Sequence, residues 1–191
     1  MHLVLASTSP YRAALLEKLA IPFAADAPET DESQRDGEDA ASLVKRLSAA
    51  KARAVGARHP NALVIGSDQV ATIGAQVLGK PGDRERAIEQ LCRASGRAVV
   101  FYTGLCLLNT TTGHTQVDVE TFTVRFRELG ADQIERYVDL EQPFNCAGSF
   151  KSEGFGITLF SAFEGRDPNS LVGLPLMRLV EMLAAEGIEI P

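Results

Sequence analysis

Apolar residues recur along the chain with two different periods. Short unbroken runs at 3–6, 62–65 and 70–73 read as buried strands, the second ended by Gly66. Helical spacing appears in Leu15, Leu16 and Leu19, in Leu43, Leu47, Ala50 and Ala54, and in Leu176, Leu179, Val180 and Leu183. Ser9 and Pro10 predict an N-cap and first helical position, and a second helix runs from about Ala40 to near Gly56. Residues 84–94, with Ile88 and Leu91 on one face, and residues 131–140 predict two more helices. Residues 23–27 read as a short extended piece. Strands at 99–108 and 117–127 are joined by the turn-rich residues 109–113, a hairpin with a longer loop. Residues 28–39 form an acidic loop, 146–163 a glycine-rich irregular segment, and 171–173 a brief strand before the last helix, which Gly187 closes. Strands and helices mix without strict alternation, which predicts an α/β fold on a mixed sheet.

Composition narrows the classes. A length of 191 residues suits one domain, 1–191, with a proper core. No stretch approaches the roughly 20 apolar residues of a membrane helix, and MHLVLASTSP lacks the basic start of a signal peptide. Cys92, Cys106 and Cys146 show no paired spacing, which fits a reducing cytoplasm rather than a disulfide framework. Three scattered histidines give a zinc site poor support. The net charge of -6, without a basic block, disfavours nucleic acid as a partner but leaves room for a local anion pocket.

Asp68 is the residue that breaks the pattern. It stands with Gln69 where two strand-like runs predict core, and a buried unpaired carboxylate costs several kcal/mol. Either it caps a turn at the strand end or it has a partner, a metal or a task. Ser7-Thr8-Ser9 lead from a strand into a helix N-terminus, where backbone N–H groups suit an anion. Arg12, in the first turn, opposes the helix dipole unless an anion lies near; the alternative is a solvated arginine. Lys51 lies in the row Leu47, Lys51, Val55, so it either snorkels outward, the commoner outcome, or faces a cleft. One carboxylate among Glu29, Asp31 and Glu32 with Asp68 would supply the oxygen ligands that Mg²⁺ prefers beside phosphate. Lys80, ending a strand before Pro81, could offer a phosphate a point charge. In AGSFKSEGFG the glycines allow close backbone approach to a ligand, with Lys151 and Glu153 alongside; the alternative is a polar surface loop. Such a set suits a nucleotide.

LASTSPYR, Thr30-Asp31-Glu32, Lys51, IGSDQV, GKP, Ser95-Gly96-Arg97, Tyr102-Thr103-Gly104 and VGLPL, in this order, resemble the Maf family of nucleotide pyrophosphatases over the whole chain. FYTG, CAGSFKSEGFGITLF and EGRDPN are most similar to its branch hydrolysing 7-methyl-GTP. The resemblance implies two α/β lobes around a long twisted mixed sheet, as in inosine triphosphatases, with a nucleotide in the cleft between them. It implies hydrolysis of a nucleoside triphosphate to monophosphate and diphosphate with a divalent cation, Mg²⁺ or Mn²⁺, and suggests a homodimer. Asp68 would accept the proton, Glu32 and Asp68 would serve the metal, and Ser7, Arg12, Lys51 and Lys80 the phosphates. Tyr11, Gln69 and Glu153 match the positions that distinguish branches. Members acting on thymidine and uridine triphosphates typically carry arginine, threonine and glutamine there. Rival expectations are a dTTP/UTP pyrophosphatase and a non-enzymatic regulator of cell division.

Overall fold

A computed structural model describes residues 1–190. The elements are β1 (His2–Ala6), α1 (Pro10–Glu17), β2 (Phe23–Asp26), α2 (Ala40–Gly56), β3 (Ala62–Ile73), β4 (Gln76–Leu78), α3 (Arg84–Ala94), β5 (Ala98–Asn109), β6 (Thr115–Phe126), α4 (Ala131–Glu141), β7 (Phe160–Gly165), α5 (Pro168–Val172) and α6 (Leu176–Ala185). Tight 3-10 turns occupy Ala147–Ser149 and Phe155–Leu159. Strand order is β2-β1-β3-β5-β6-β7, with β4 paired to β3. β1 runs parallel to β2 and β3, whereas β3–β4 and β6–β7 are antiparallel, so the sheet is mixed as expected.

The chain divides into two compact units. The first takes Met1–Gln69, Thr103–Glu120 and the residues from Asp167 onward. Its strands alternate their side chains between two faces, as the pleat requires. Leu3, Leu5, Leu63, Ile65, Leu105 and Leu107 pack with Leu15 and Leu16 of α1 and with Leu179, Met182 and Leu183 of α6. Val4, Ala6, Val64 and Cys106 face the other way, toward Ala49, Ala52 and Val55 of α2. Burial pushes the Cys106 thiol up to about 12, which leaves it an inert core residue.

The approach of α2 to the strands is unusually close, and glycine is the reason. A Cβ on Gly66 would stand 2.1 Å from the Ser48 carbonyl oxygen, and one on Gly104 would stand 2.2 Å from that of Val44. Only a bare Cα lets helix backbone settle there. Gly66 therefore lies inside a strand rather than ending one: the two expected runs are a single 12-residue strand, β3, passing through Gly66, Ser67, Asp68 and Gln69.

The second unit takes Val70–Tyr102 and Thr121–Arg166. Its core is aromatic: Phe150 meets Phe101, Phe126 and Phe160 edge to face, at centroid distances from 4.7 to 5.6 Å. Leu91 of α3 and Ile134, Tyr137 and Val138 of α4 are buried with them in this unit.

Three further expectations are corrected. The residues read as a brief strand at 171–173 belong to α5, because Asp167 caps the Asn169 N–H, Pro168 takes the first helical position and Gly173, at φ 122°, ends the turn. The segment 146–163 holds the start of β7, whose residues are mostly exposed and so show no apolar alternation. Lys80 follows β4 by two residues instead of ending a strand.

Candidate active site

Lys51 does not snorkel. It is 5% exposed, and its Nζ lies 2.6 Å from Asp68 Oδ1 and 2.7 Å from Glu32 Oε1. Asp68, at 7% exposure, is therefore a partnered carboxylate within β3 and not the cap of a turn. The glycine contacts explain the meeting: α2 lies against β3 at Ser48 and Ala52, and Lys51, between them in sequence, reaches the strand position two beyond Gly66.

Glu32 arrives from the acidic loop and is itself largely exposed. The loop is tied down beside it. Arg46 of α2 grips Glu38 with Nε and Nη2 at 2.6 and 2.7 Å, and donates to the Ser33 carbonyl oxygen. The Arg46 hydrogen bond, helped by the Arg35 N–H, holds the Glu38 carboxyl down to about 2. Asp39 caps α2 by accepting from Ser42 N–H.

Arg12 is half-buried rather than solvated. Its Nε donates to the Gly173 carbonyl oxygen at 2.9 Å. Burial lowers the pKa of its guanidinium, and the Asp68 and Glu32 carboxylates oppose that shift. Ser7, buried at the end of β1, accepts from Ser9 N–H through Oγ, while Ser9 caps α1 as expected. Tyr11 is 37% exposed one residue earlier than Arg12. Gln69 spends its amide nitrogen on the chain, donating to Thr103 Oγ1, Ser170 O and Leu171 O at 3.0, 2.7 and 3.1 Å. The first unit thus gathers Ser7, Arg12, Glu32, Lys51, Asp68 and Gln69. Lys80 and Glu153, both exposed, are carried by the second unit.

Several supporting residues escaped the sequence reading. Ser67 Oγ lies 2.9 Å from both Gly104 O and Gly173 O, and the Thr103 hydroxyl donates to Ser170 O. Asp167, wholly buried, accepts from Asn169 N–H and from Met177 N–H, fixing the start of both α5 and α6. Asp-Pro followed by glycine six residues on was the available signal for that turn. The glycines of the 146–156 segment approach protein rather than open space: a Cβ on Gly154 would stand 3.0 Å from both Glu141 carboxylate oxygens.

Among the described residues no three His, Cys, Asp or Glu side chains gather as a metal cage. Mg²⁺ bound with a polyphosphate needs only one or two carboxylates, and Asp68 and Glu32 touch the same nitrogen. The donor set fits a cation that comes with the phosphates.

Fold and cluster define an α/β protein with a carboxylate–ammonium site. The chain belongs to the Maf family: the family model described as Maf-like protein matches residues 2–186. It is 62% identical over 189 residues to the 7-methyl-GTP pyrophosphatase of Alcanivorax borkumensis, covering 99% of this chain and 96% of that one. It is 57% identical to the protein of the same name from Pseudomonas aeruginosa, covering 99% and 98%. In fold it is similar to the Staphylococcus aureus Ham1 protein, with TM-score 0.54 and 16% identity across 97% of this chain and 100% of that one. No described helix is long and apolar enough to cross a membrane.

Proposed function

We propose that this protein hydrolyses 7-methyl-GTP to 7-methyl-GMP and diphosphate. The observation that carries the reading is the buried Lys51 between Asp68 and Glu32, in a chain that matches 7-methyl-GTP pyrophosphatases from end to end.

Water is a poor nucleophile at neutral pH, and a positioned carboxylate that takes its proton lowers the barrier. Asp68 has that role. As water adds to phosphorus the P–O bond to diphosphate breaks, and the water proton passes to the carboxylate. Lys51 fixes Asp68 Oδ1, and β3 fixes its backbone, so the base is oriented before substrate arrives. Glu32 and Asp68 would hold a divalent cation, Mg²⁺ or Mn²⁺, which supplies charge neutralisation when bound. Ser7, Arg12 and Lys80 meet the phosphates, Arg12 anchored by its bond to Gly173 O.

Base choice falls to Tyr11, Gln69 and Glu153. N7-methylation makes guanine cationic, which the Tyr11 ring attracts through its π face. Glu153 accepts from the guanine N1–H and 2-amino group, or offsets the cationic ring. The O2 and O4 acceptors of thymine or uracil would be repelled there. With its nitrogen committed to Thr103 and α5, Gln69 offers a base its carbonyl oxygen, again an acceptor. A cytoplasmic location, supported by three cysteines that form no disulfide, and a homodimer, supported by the family resemblance alone, belong to the same proposal.

Diphosphate release from 7-methyl-GTP, GTP, dTTP and UTP, with Mg²⁺ or Mn²⁺, tests the reading. The highest kcat/KM is expected on 7-methyl-GTP. Equal or faster turnover of dTTP and UTP would move the protein to the sister branch.

A further inference from the structure

We infer that Glu141 and Tyr137 of α4 are positioning residues for base selection, holding Glu153 in the conformation that reads the base. The inference rests on the assignment of Glu153 made above.

Glu153 is exposed, and its carboxylate accepts from the Ser152 hydroxyl at 3.2 Å. A long side chain on a loop would sample many positions unless its backbone were held. Here the backbone is tied on both sides. Before it, Lys151 N–H donates to Tyr137 Oη at 3.1 Å, and Lys151 Nζ donates to the Glu141 carbonyl oxygen at 2.8 Å. The same ammonium lies 3.4 Å from Glu141 Oε1. After it, Phe155 N–H donates to Glu141 Oε2 at 2.9 Å. Tyr137 and Glu141 are one helical turn apart, so a single face of α4 holds both flanks.

Gly154 seals the arrangement, since a Cβ there would press on both Glu141 oxygens at 3.0 Å. At Gly156 a Cβ would stand 2.3 Å from Lys151 O, so the loop folds back on itself as well. Helix capping does not account for Glu141. A carboxylate in the last turn of a helix opposes the dipole, and Gln142, in the left-handed region at φ 46°, already ends α4 through its own N–H bond to Val138 O. Glu141 is placed against that local preference, and its oxygens go to the two flanks of Glu153.

The test is the preference for 7-methyl-GTP over UTP, taken as a ratio of kcat/KM values. Glu153→Gln should lower it. Glu141→Ala should lower it about five- to tenfold, the effect expected from releasing one or two hydrogen bonds. Glu141→Gln, which keeps an acceptor for Phe155 N–H, should restore most of the preference. Tyr137→Phe, which keeps the buried ring, should lower it less, and it decides the matter if Glu141→Ala fails to fold. In a Glu153→Gln background neither substitution should lower the ratio further, because all act through one carboxylate. A wild-type ratio in Glu141→Ala and Tyr137→Phe, with Glu153→Gln lowered, would overturn the inference alone. So would equal losses on both nucleotides, which mark a merely structural role. An unchanged ratio in Glu153→Gln would overturn the base-reading assignment beneath it.

Discussion

Asp68 and Glu153 are both carboxylates assigned to one substrate, yet their surroundings differ in nearly every respect. Asp68 sits mid-strand, buried, bonded to a buried ammonium, under a helix drawn in by two glycines. Glu153 stands exposed on an irregular loop whose flanks are held by side chains of α4, while its carboxylate accepts from the adjacent Ser152 hydroxyl. The contrast separates two demands. A proton acceptor must be oriented to a fraction of an ångström, which rigid elements supply. A base-reading group has to differ between branches, and a loop tolerates exchange without disturbing the core.

Removing the proposed base should have the largest effect. Asp68→Asn keeps shape and size but removes the proposed proton acceptor, so kcat should fall about 10²–10⁴-fold on every nucleotide with their ranking unchanged. Near wild-type turnover would return Asp68 to a structural part in β3. If the ranking changed instead, the separation of the two carboxylates would be false.

A smaller effect is expected from the packing that brings Lys51 to Asp68. Gly66→Ala places a methyl group 2.1 Å from the Ser48 carbonyl oxygen, so α2 must shift or the strand must bend. Overpacking of this kind costs about 1–3 kcal/mol or more, visible as a lowered Tm. Activity on all nucleotides should fall with it, because the ammonium moves with the helix. The same substitution at Gly74 meets no atom within 4 Å and has only its φ of 58° to contend with. Equal Tm values for the two variants would show that close helix approach is not what Gly66 provides.

The smallest effect concerns the acidic loop that brings Glu32 to the cluster. The folded-state pKa of Glu38 is depressed to about 2 by Arg46, from an ordinary value of 4.5. A depressed carboxyl stabilises the fold above its unfolded pKa, and that contribution is lost as pH falls through the folded value. Pepsin cleavage within residues 27–39 should therefore stay low near pH 4.5 and rise as pH approaches 2. Cleavage already complete at the upper end of that window would show that the Arg46–Glu38 pair does not hold the loop.

Much of the fold was legible because its boundaries carry local chemistry. Ser9-Pro10 before α1 and Gly187 after α6 mark ends through a cap and a positive φ, independent of anything distant. What failed depended on distant partners. Gly66 looks like a stop until the helix opposite it is known. Leu171 and Val172 are the exception: they look like a strand, although the adjacent Asp167-Pro168 and Gly173 carry the local signal for a short helix. β7 is an exposed edge paired to β6, held by tertiary contacts such as Phe122 occupying the space where Gly165 lacks a side chain. Within the site, Asp68 stood out because a carboxylate interrupts a run of core residues. Lys51 was ambiguous because helical period shows which face it shares but not that Asp68 lies across from it. Glu141 carried no signal at all: an acid at a helix end is ordinary in sequence, and its meaning lies in the loop it holds.

The most direct test exchanges the proposed base-reading set while leaving Asp68, Lys51 and Glu32 in place. Tyr11→Arg, Gln69→Thr and Glu153→Gln should be made together, since Gln69 also holds Thr103 and α5 and substitutions that share a substrate do not act additively. With kcat/KM measured on 7-methyl-GTP and UTP, preference for 7-methyl-GTP should fall by roughly five- to 150-fold. UTP hydrolysis should rise, with diphosphate still the product released. An unchanged preference would contradict the account, for it would mean that the base is read elsewhere in the molecule.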